Sequence, residues 1–98
     1  MRVQDSSGNV FRDLGFASTA AENLRVRADL MISLGKLIER RGLTQAQAAK
    51  LLGVTQPRVS ALMRGKIQLF SVDSLIEMLG RGGARVSVTV KQQRDQVA

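Results

Sequence analysis

Two helix-start signals, Thr44 and Thr55, stand close together in the middle of this chain, and Gly53 lies between them. That arrangement constrains the fold more than any other feature. Thr44 has Gln47 three residues on, which completes a capping box, and Thr55 is followed by Pro57 in the first helical turn. Val54 and Val59 bracket the second cap at the spacing of a hydrophobic staple. The stretch therefore reads as two short helices joined by a tight turn, the first ending at Leu51-Leu52-Gly53 and the second at Arg64-Gly65-Lys66. Where such helices cross, a small side chain is needed, and Ala49 supplies it. The turn needs a residue that tolerates positive φ, which Gly53 does. A branched apolar residue must fill the gap on the second helix, and Val59 is spaced for it. Leu52, Val54 and Leu62 take the remaining inward positions. This is what a helix-turn-helix requires.

The rest of the chain arranges itself around that pair. A long helix is expected over about Thr19–Arg41, with Leu24, Ala28, Met31, Leu34, Leu37 and Ile38 as its apolar stripe. Gly35 interrupts that stripe and suggests close helix packing. Arg40 and Arg41 suit the negative end of the helix dipole, and Gly42 stops the helix. After the pair, Ser71 caps a further helix, with Phe70 and Leu75 as staple, Asp73 near its positive end, and Val72, Leu75, Ile76 and Leu79 as its apolar face. Gly80, Gly82 and Gly83 break it. Arg85–Val90 alternates valine with polar residues, which predicts a β-strand. Near the N-terminus Val10, Phe11, Leu14 and Phe16 suggest a short helical turn or a packed extended segment. The expected organisation is a flexible tail over 1–9, one domain over 10–90 and a second tail over 91–98.

Charge and composition narrow the function. The net charge is +7, and from Arg40 to Lys66 the chain carries Arg40, Arg41, Lys50, Arg58, Arg64 and Lys66 with no Asp or Glu. A basic surface suits a polyanion such as nucleic acid, and it also suits an acidic membrane or an acidic protein. The chain has no cysteine and no histidine, which excludes disulfides, thiolate metal sites, a cysteine nucleophile and a histidine base. The eight carboxylates form no visible pair or ligand cluster. The reading is no enzyme, no cofactor and no metal. No apolar run approaches the roughly 20 residues of a membrane span, and the N-terminus has no signal-peptide stretch, so a cytoplasmic protein is expected.

The stretch LTQAQAAKLLGVTQPRVSALMRGK, Leu43–Lys66, closely resembles the helix-turn-helix of the Cro/repressor-like (XRE) family. Its small, glycine and branched positions fall on Ala49, Gly53 and Val59. The wider pattern, from NVFRDLGF through ERRGLTQ to FSVDSLIEML and the valine segment, is similar to the HigA-like antitoxins of toxin–antitoxin pairs. The resemblance implies an all-α, lambda-repressor-like bundle of about five helices with a C-terminal β-strand paired in a dimer.

It also implies contacts with double-stranded DNA. Gln56, Pro57, Arg58 and Ala61 match positions on the exposed face that reads bases. Thr44, Gln45, Thr55, Ser60, Arg64 and Lys66 match positions near the phosphates. Glutamine can pair with adenine, arginine with guanine, and small apolar groups can meet the thymine methyl. Two departures stand out: Pro57 replaces a common hydrogen-bonding residue, and Ala61 can neither donate nor accept. Plainer readings stay open: Gln45 as a solvated helix-start residue, Arg58 as a phosphate contact, and Arg64 and Lys66 as solvated charges.

One recognition helix reads too few base pairs for useful specificity, so twofold symmetry is expected. The Arg85–Val90 segment has no second strand within the chain, and an isolated strand leaves unpaired backbone groups. Pairing with its copy would bury Val86, Val88 and Val90 against the last helix and make a homodimer. The function expected is a sequence-specific transcriptional repressor. In the antitoxin case a toxin protein is a second partner, facing Val10–Phe16 and the first helix. The alternative is a helical protein-interaction module that does not read DNA sequence.

Overall fold

The computed structural model describes residues 15–92, with side chains from residue 19 onward. Four α-helices follow one another: α1 (Gly15–Arg40), α2 (Gln45–Leu52), α3 (Gln56–Met63) and α4 (Val72–Arg81), with a 3₁₀ turn at Ile67–Leu69 between the last two. The described residues are therefore all-α, with four helices and a 3₁₀ turn. The tail over 1–9, the residues Val10, Phe11 and Leu14, and all but the first two residues of the tail over 91–98 lie outside the described residues.

Helix α1 begins four residues before the expected start at Thr19 and takes Phe16 into its first turn. Ala17, Ala20 and Ala21 on either side of the threonine are the best of helix formers and carry the helix through. At 26 residues α1 is about 39 Å long. Among the described residues its C-terminal half supplies the core contacts. Met31, Leu34 and Ile38 are buried, with Leu30 packed against the same core, while residues 19–25 are all exposed. Leu24 continues the apolar stripe yet remains exposed, because the bundle ends before it. On the solvent side Arg25 pairs with Glu22 at 2.6 Å and with Asp29 at 3.2 Å, which are fully solvated pairs of small consequence.

The core is one cluster drawn from every helix: Met31, Leu34 and Ile38 of α1, Ala48, Ala49 and Leu52 of α2, Val59, Ala61 and Leu62 of α3, and Leu75, Met78 and Leu79 of α4. Phe70 closes it from the segment before α4. Met78 is a core residue that the expected apolar face of α4 omitted. Both expected staples have an inward anchor: Val59 and Leu75 are fully buried, while Val54 is half-buried and Phe70 buried.

Helix α4 starts with more than the expected serine cap. The Ser74 backbone N–H donates to Ser71 Oγ at 3.1 Å, and the Ser71 N–H donates to Ser74 Oγ at 3.2 Å, so a serine takes the place of the usual Glu or Gln in a capping box. At its far end α4 runs through Gly80 and stops at Arg81. Gly82 is there for space: a Cβ on it would meet Leu37 Cδ1 at 3.1 Å and Leu52 Cδ2 at 3.3 Å. Gly35 is the reverse case. A Cβ there would meet nothing within 4 Å, so the close packing expected at this site is absent. It lines an open apolar groove with Ala28, Met31, Leu62 and Met63 instead.

After Ala84, whose N–H closes α4 by donating to Leu79 O at 2.9 Å, the described chain runs on without a ladder partner. Within the chain Arg85–Val90 is thus not a β-strand, since a strand is defined by the pairing it makes. Its valines do keep alternation: Val86 packs against the core, and Val88 and Val90 pass beyond it, 75% and 88% exposed.

Candidate nucleic-acid interface

Helix α2 is held at both ends by its own chemistry. The Gln47 N–H donates to Thr44 Oγ1 at 3.1 Å and the Thr44 N–H donates to Gln47 Oε1 at 2.9 Å, the expected capping box. At the other end Gly53 adopts φ 72° and ψ 33°, and the Val54 N–H donates back to Ala49 O at 3.0 Å. That left-handed residue lets the chain reverse at once into α3. The side chain of Arg81 lies over the same glycine, with Nη1 2.9 Å from where a Cβ would stand. Sequence reasoning found the positive φ but not this neighbour. Ala49 and Val59 are both buried in the common core, as the helix crossing demands.

Helix α3 is capped by Thr55, whose Oγ1 accepts from the Arg58 N–H at 3.4 Å, with Pro57 in its first turn. Its inner face, Val59 and Leu62, anchors it to the core. Its first turn faces outward: Thr55, Gln56 and Pro57 are exposed. Thr44, Gln45, Arg64 and Lys66 are exposed as well, so residues from both ends of the motif reach solvent. Thr44 and Thr55 use a lone pair for the cap, and each hydroxyl keeps its own O–H to donate. Ser60 is half-buried.

Two members of the expected reading face differ from that expectation. Ala61 is 9% exposed and belongs to the core cluster, so it does not lie on an exposed face. It follows Val59 and Ser60 onto the side where α3 turns inward, and its methyl is already in apolar contact. Arg58 is half-buried and already engaged: Nη1 donates to Leu69 O at 2.8 Å, and the guanidinium carbon stands 4.3 Å from the centroid of the Phe70 ring. Arg27 of α1 donates to Ile67 O at 3.2 Å and to Phe70 O at 3.4 Å. Nothing in the sequence pointed to Arg27; a single arginine on a long helix carries no periodic signal.

The segment that carries α2 and α3 is basic. Arg40, Arg41, Lys50, Arg64 and Lys66 are all exposed, and the segment contains no carboxylate to neutralise them. Among the described residues no cluster of side chains could hold a metal ion, and no helix is long and apolar enough to cross a membrane.

A capped helix, a left-handed glycine turn and a second helix with an outward first turn define a helix-turn-helix protein. Comparison with known proteins agrees: residues 10–91 match a helix-turn-helix domain family, and the chain belongs to it. A solved structure described as "Putative XRE Family Transcriptional Regulator" is similar at 34% identity and a TM-score of 0.72, covering 81% of this chain and 89% of that one. No curated protein matches the chain.

Proposed function

We propose that this protein is a sequence-specific DNA-binding transcriptional regulator, a repressor, which inserts the first turn of α3 into the major groove. One observation carries the reading: the exposed turn Gln56–Pro57 stands within a basic segment, Arg40–Lys66, that contains no carboxylate, on a helix whose opposite face is locked in the core. Phosphate charge supplies most of the affinity of such a protein, and groove contacts supply its selectivity. Gln56 is the principal base reader, able to pair bidentately with N6 and N7 on the major-groove edge of an adenine. Arg58 keeps donors beyond the one given to Leu69 O, and a guanine or a phosphate can accept from them. Thr44, Gln45, Thr55, Ser60, Arg64 and Lys66 contact the backbone phosphates. Likeness to a protein described as a transcriptional regulator supports the same conclusion.

The working unit in this reading is a homodimer. Two copies of the Arg85–Val90 segment pair as antiparallel strands, which satisfies backbone groups that have no partner in the described chain and covers Val88 and Val90. The two recognition helices then meet half-sites about one helical turn, roughly 34 Å, apart. An antitoxin role fits the same scaffold, with a toxin held by Val10–Phe16 and the exposed half of α1, and the protein repressing its own operon.

The experiment is binding of the purified protein to the DNA immediately upstream of its reading frame, against a scrambled duplex, over a salt series. Selective binding that Gln56→Ala weakens is the expected result. Equal and steeply salt-dependent binding to both duplexes would reduce the surface to a general polyanion site. Binding to neither would overturn the reading in favour of a protein-interaction module.

A further inference from the structure

Two arginines from different helices take three backbone carbonyls of the connection between α3 and α4. Arg58 of α3 takes Leu69 O and covers the Phe70 ring, while Arg27 of α1 takes Ile67 O and Phe70 O. Arg27 is itself oriented, since its Nε donates to Asn23 Oδ1 at 2.8 Å. Among the described residues neither guanidinium has a carboxylate partner. Both arginines thus hold the connection, and Phe70, 2% exposed, meets each of them, its ring under Arg58 and its carbonyl accepting from Arg27.

The grip does something that the apolar core cannot. Burial of Val59 and Leu62 holds α3 against the bundle, but apolar attraction is non-directional. Hydrogen bonds from a planar guanidinium are directional, and the same plane stacks on an aromatic ring. Arg58 leaves α3 two residues, about 200° of helical rotation, from Gln56, so fixing its guanidinium fixes the roll of the helix and with it the direction in which Gln56 and Pro57 point. Arg27 carries that constraint through the connection to α1, the longest element of the fold.

We propose that Arg27 and Arg58 form a clamp that sets the roll of α3, and that Arg27 is a positioning residue for DNA selection. This rests on the reading of α3 as a recognition helix. Arg27 is half-buried against the connection and acts through Phe70 and Arg58, not by touching DNA.

The test compares the full chain with Arg27→Met, Arg58→Met and the double variant on the upstream and scrambled duplexes, across a salt series. For Arg27→Met the expected result is a loss of about tenfold on the upstream duplex, with scrambled-duplex affinity and salt slope unchanged. The double variant should be no weaker than the weaker single one, because both break one unit. A salt slope shallower by about one in Arg27→Met would mean a direct phosphate contact and overturn the clamp. Unchanged selectivity, or losses that simply add, would overturn it too. Should Arg27→Met fail to fold, Arg27→Lys keeps the stem and charge but lacks the planar fork. It must lose selectivity as well, and full retention sinks the proposal. If the unaltered protein does not prefer the upstream duplex, the DNA reading fails on its own. The clamp is then judged by NMR: the Phe70 ring should shift the Arg58 δ protons upfield, and the shift should shrink in Arg27→Met. An unchanged shift would overturn it.

Discussion

The guanidinium of Arg58 stands 4.3 Å from the centre of the Phe70 ring while its Nη1 bonds Leu69 O, so a residue of α3 is tied to the segment that leads into α4. Phe70 serves two roles at once, as staple and core residue for α4 and as a platform for α3. Phe70→Leu keeps an apolar side chain but removes the ring. It should lower stability by about 1–2 kcal/mol, combining a volume change with a lost cation–π contact. Urea unfolding monitored by circular dichroism measures this, and a variant as stable as the original would show that the ring adds nothing beyond bulk.

Gly53 answers to backbone geometry before sterics. At φ 72° an alanine is strained by about 1–2 kcal/mol, and its Cβ must also displace the end of Arg81. Gly53→Ala should therefore lower the melting temperature clearly. Adding Arg81→Ala should restore only a minor part, because the flexible arginine can move and the backbone cannot. Restoration in full would assign the effect to crowding.

The caps can be weighed separately from the contacts proposed for them. Thr44→Ala removes an acceptor that serves the Gln47 N–H and should cost about 1 kcal/mol of stability. Thr44→Ser keeps the oxygen and should cost far less. If the hydroxyl also meets a phosphate, Thr44→Ala weakens binding to all duplexes alike, whereas Thr44→Ser does not.

Base and phosphate contacts leave different signatures. Gln56→Ala should lower affinity for the preferred duplex by about 1–3 kcal/mol and relax selectivity at one base pair. Arg64→Ala and Lys66→Ala should instead weaken binding to every sequence and each reduce the salt slope by about 0.9. A salt series on paired duplexes separates the two, and a Gln56→Ala variant that changes slope but not selectivity would move Gln56 to the phosphate class.

Val88 and Val90 stand far out of the monomer's core. If a second copy covers them, Val88→Asp buries a charge at the interface and should yield monomers by sedimentation equilibrium. A variant that stays dimeric would remove the strand from the interface.

The local grammar of the chain was legible in its residues. Thr44 with Gln47, Thr55 with Pro57, Gly53, and the Ala49 and Val59 spacing identify the two motif helices and their turn, because caps, positive φ and helical period act over a few residues. Signals of that range also misled. Gly35 suggests packing where no neighbour comes near.

What the sequence by itself determined is therefore a helix-turn-helix within a basic, carboxylate-free segment. What only the tertiary structure decided is which of its residues are free to act. Ala61 turned inward, Arg58 came to rest on Phe70, and Arg27 reached the carbonyls of Ile67 and Phe70. Those outcomes depend on where α1 and the segment before α4 lie relative to α3. Arg27 and Phe70 are 43 residues apart in the chain, and no periodicity encodes a contact across that separation. Packing of the whole core brings them together.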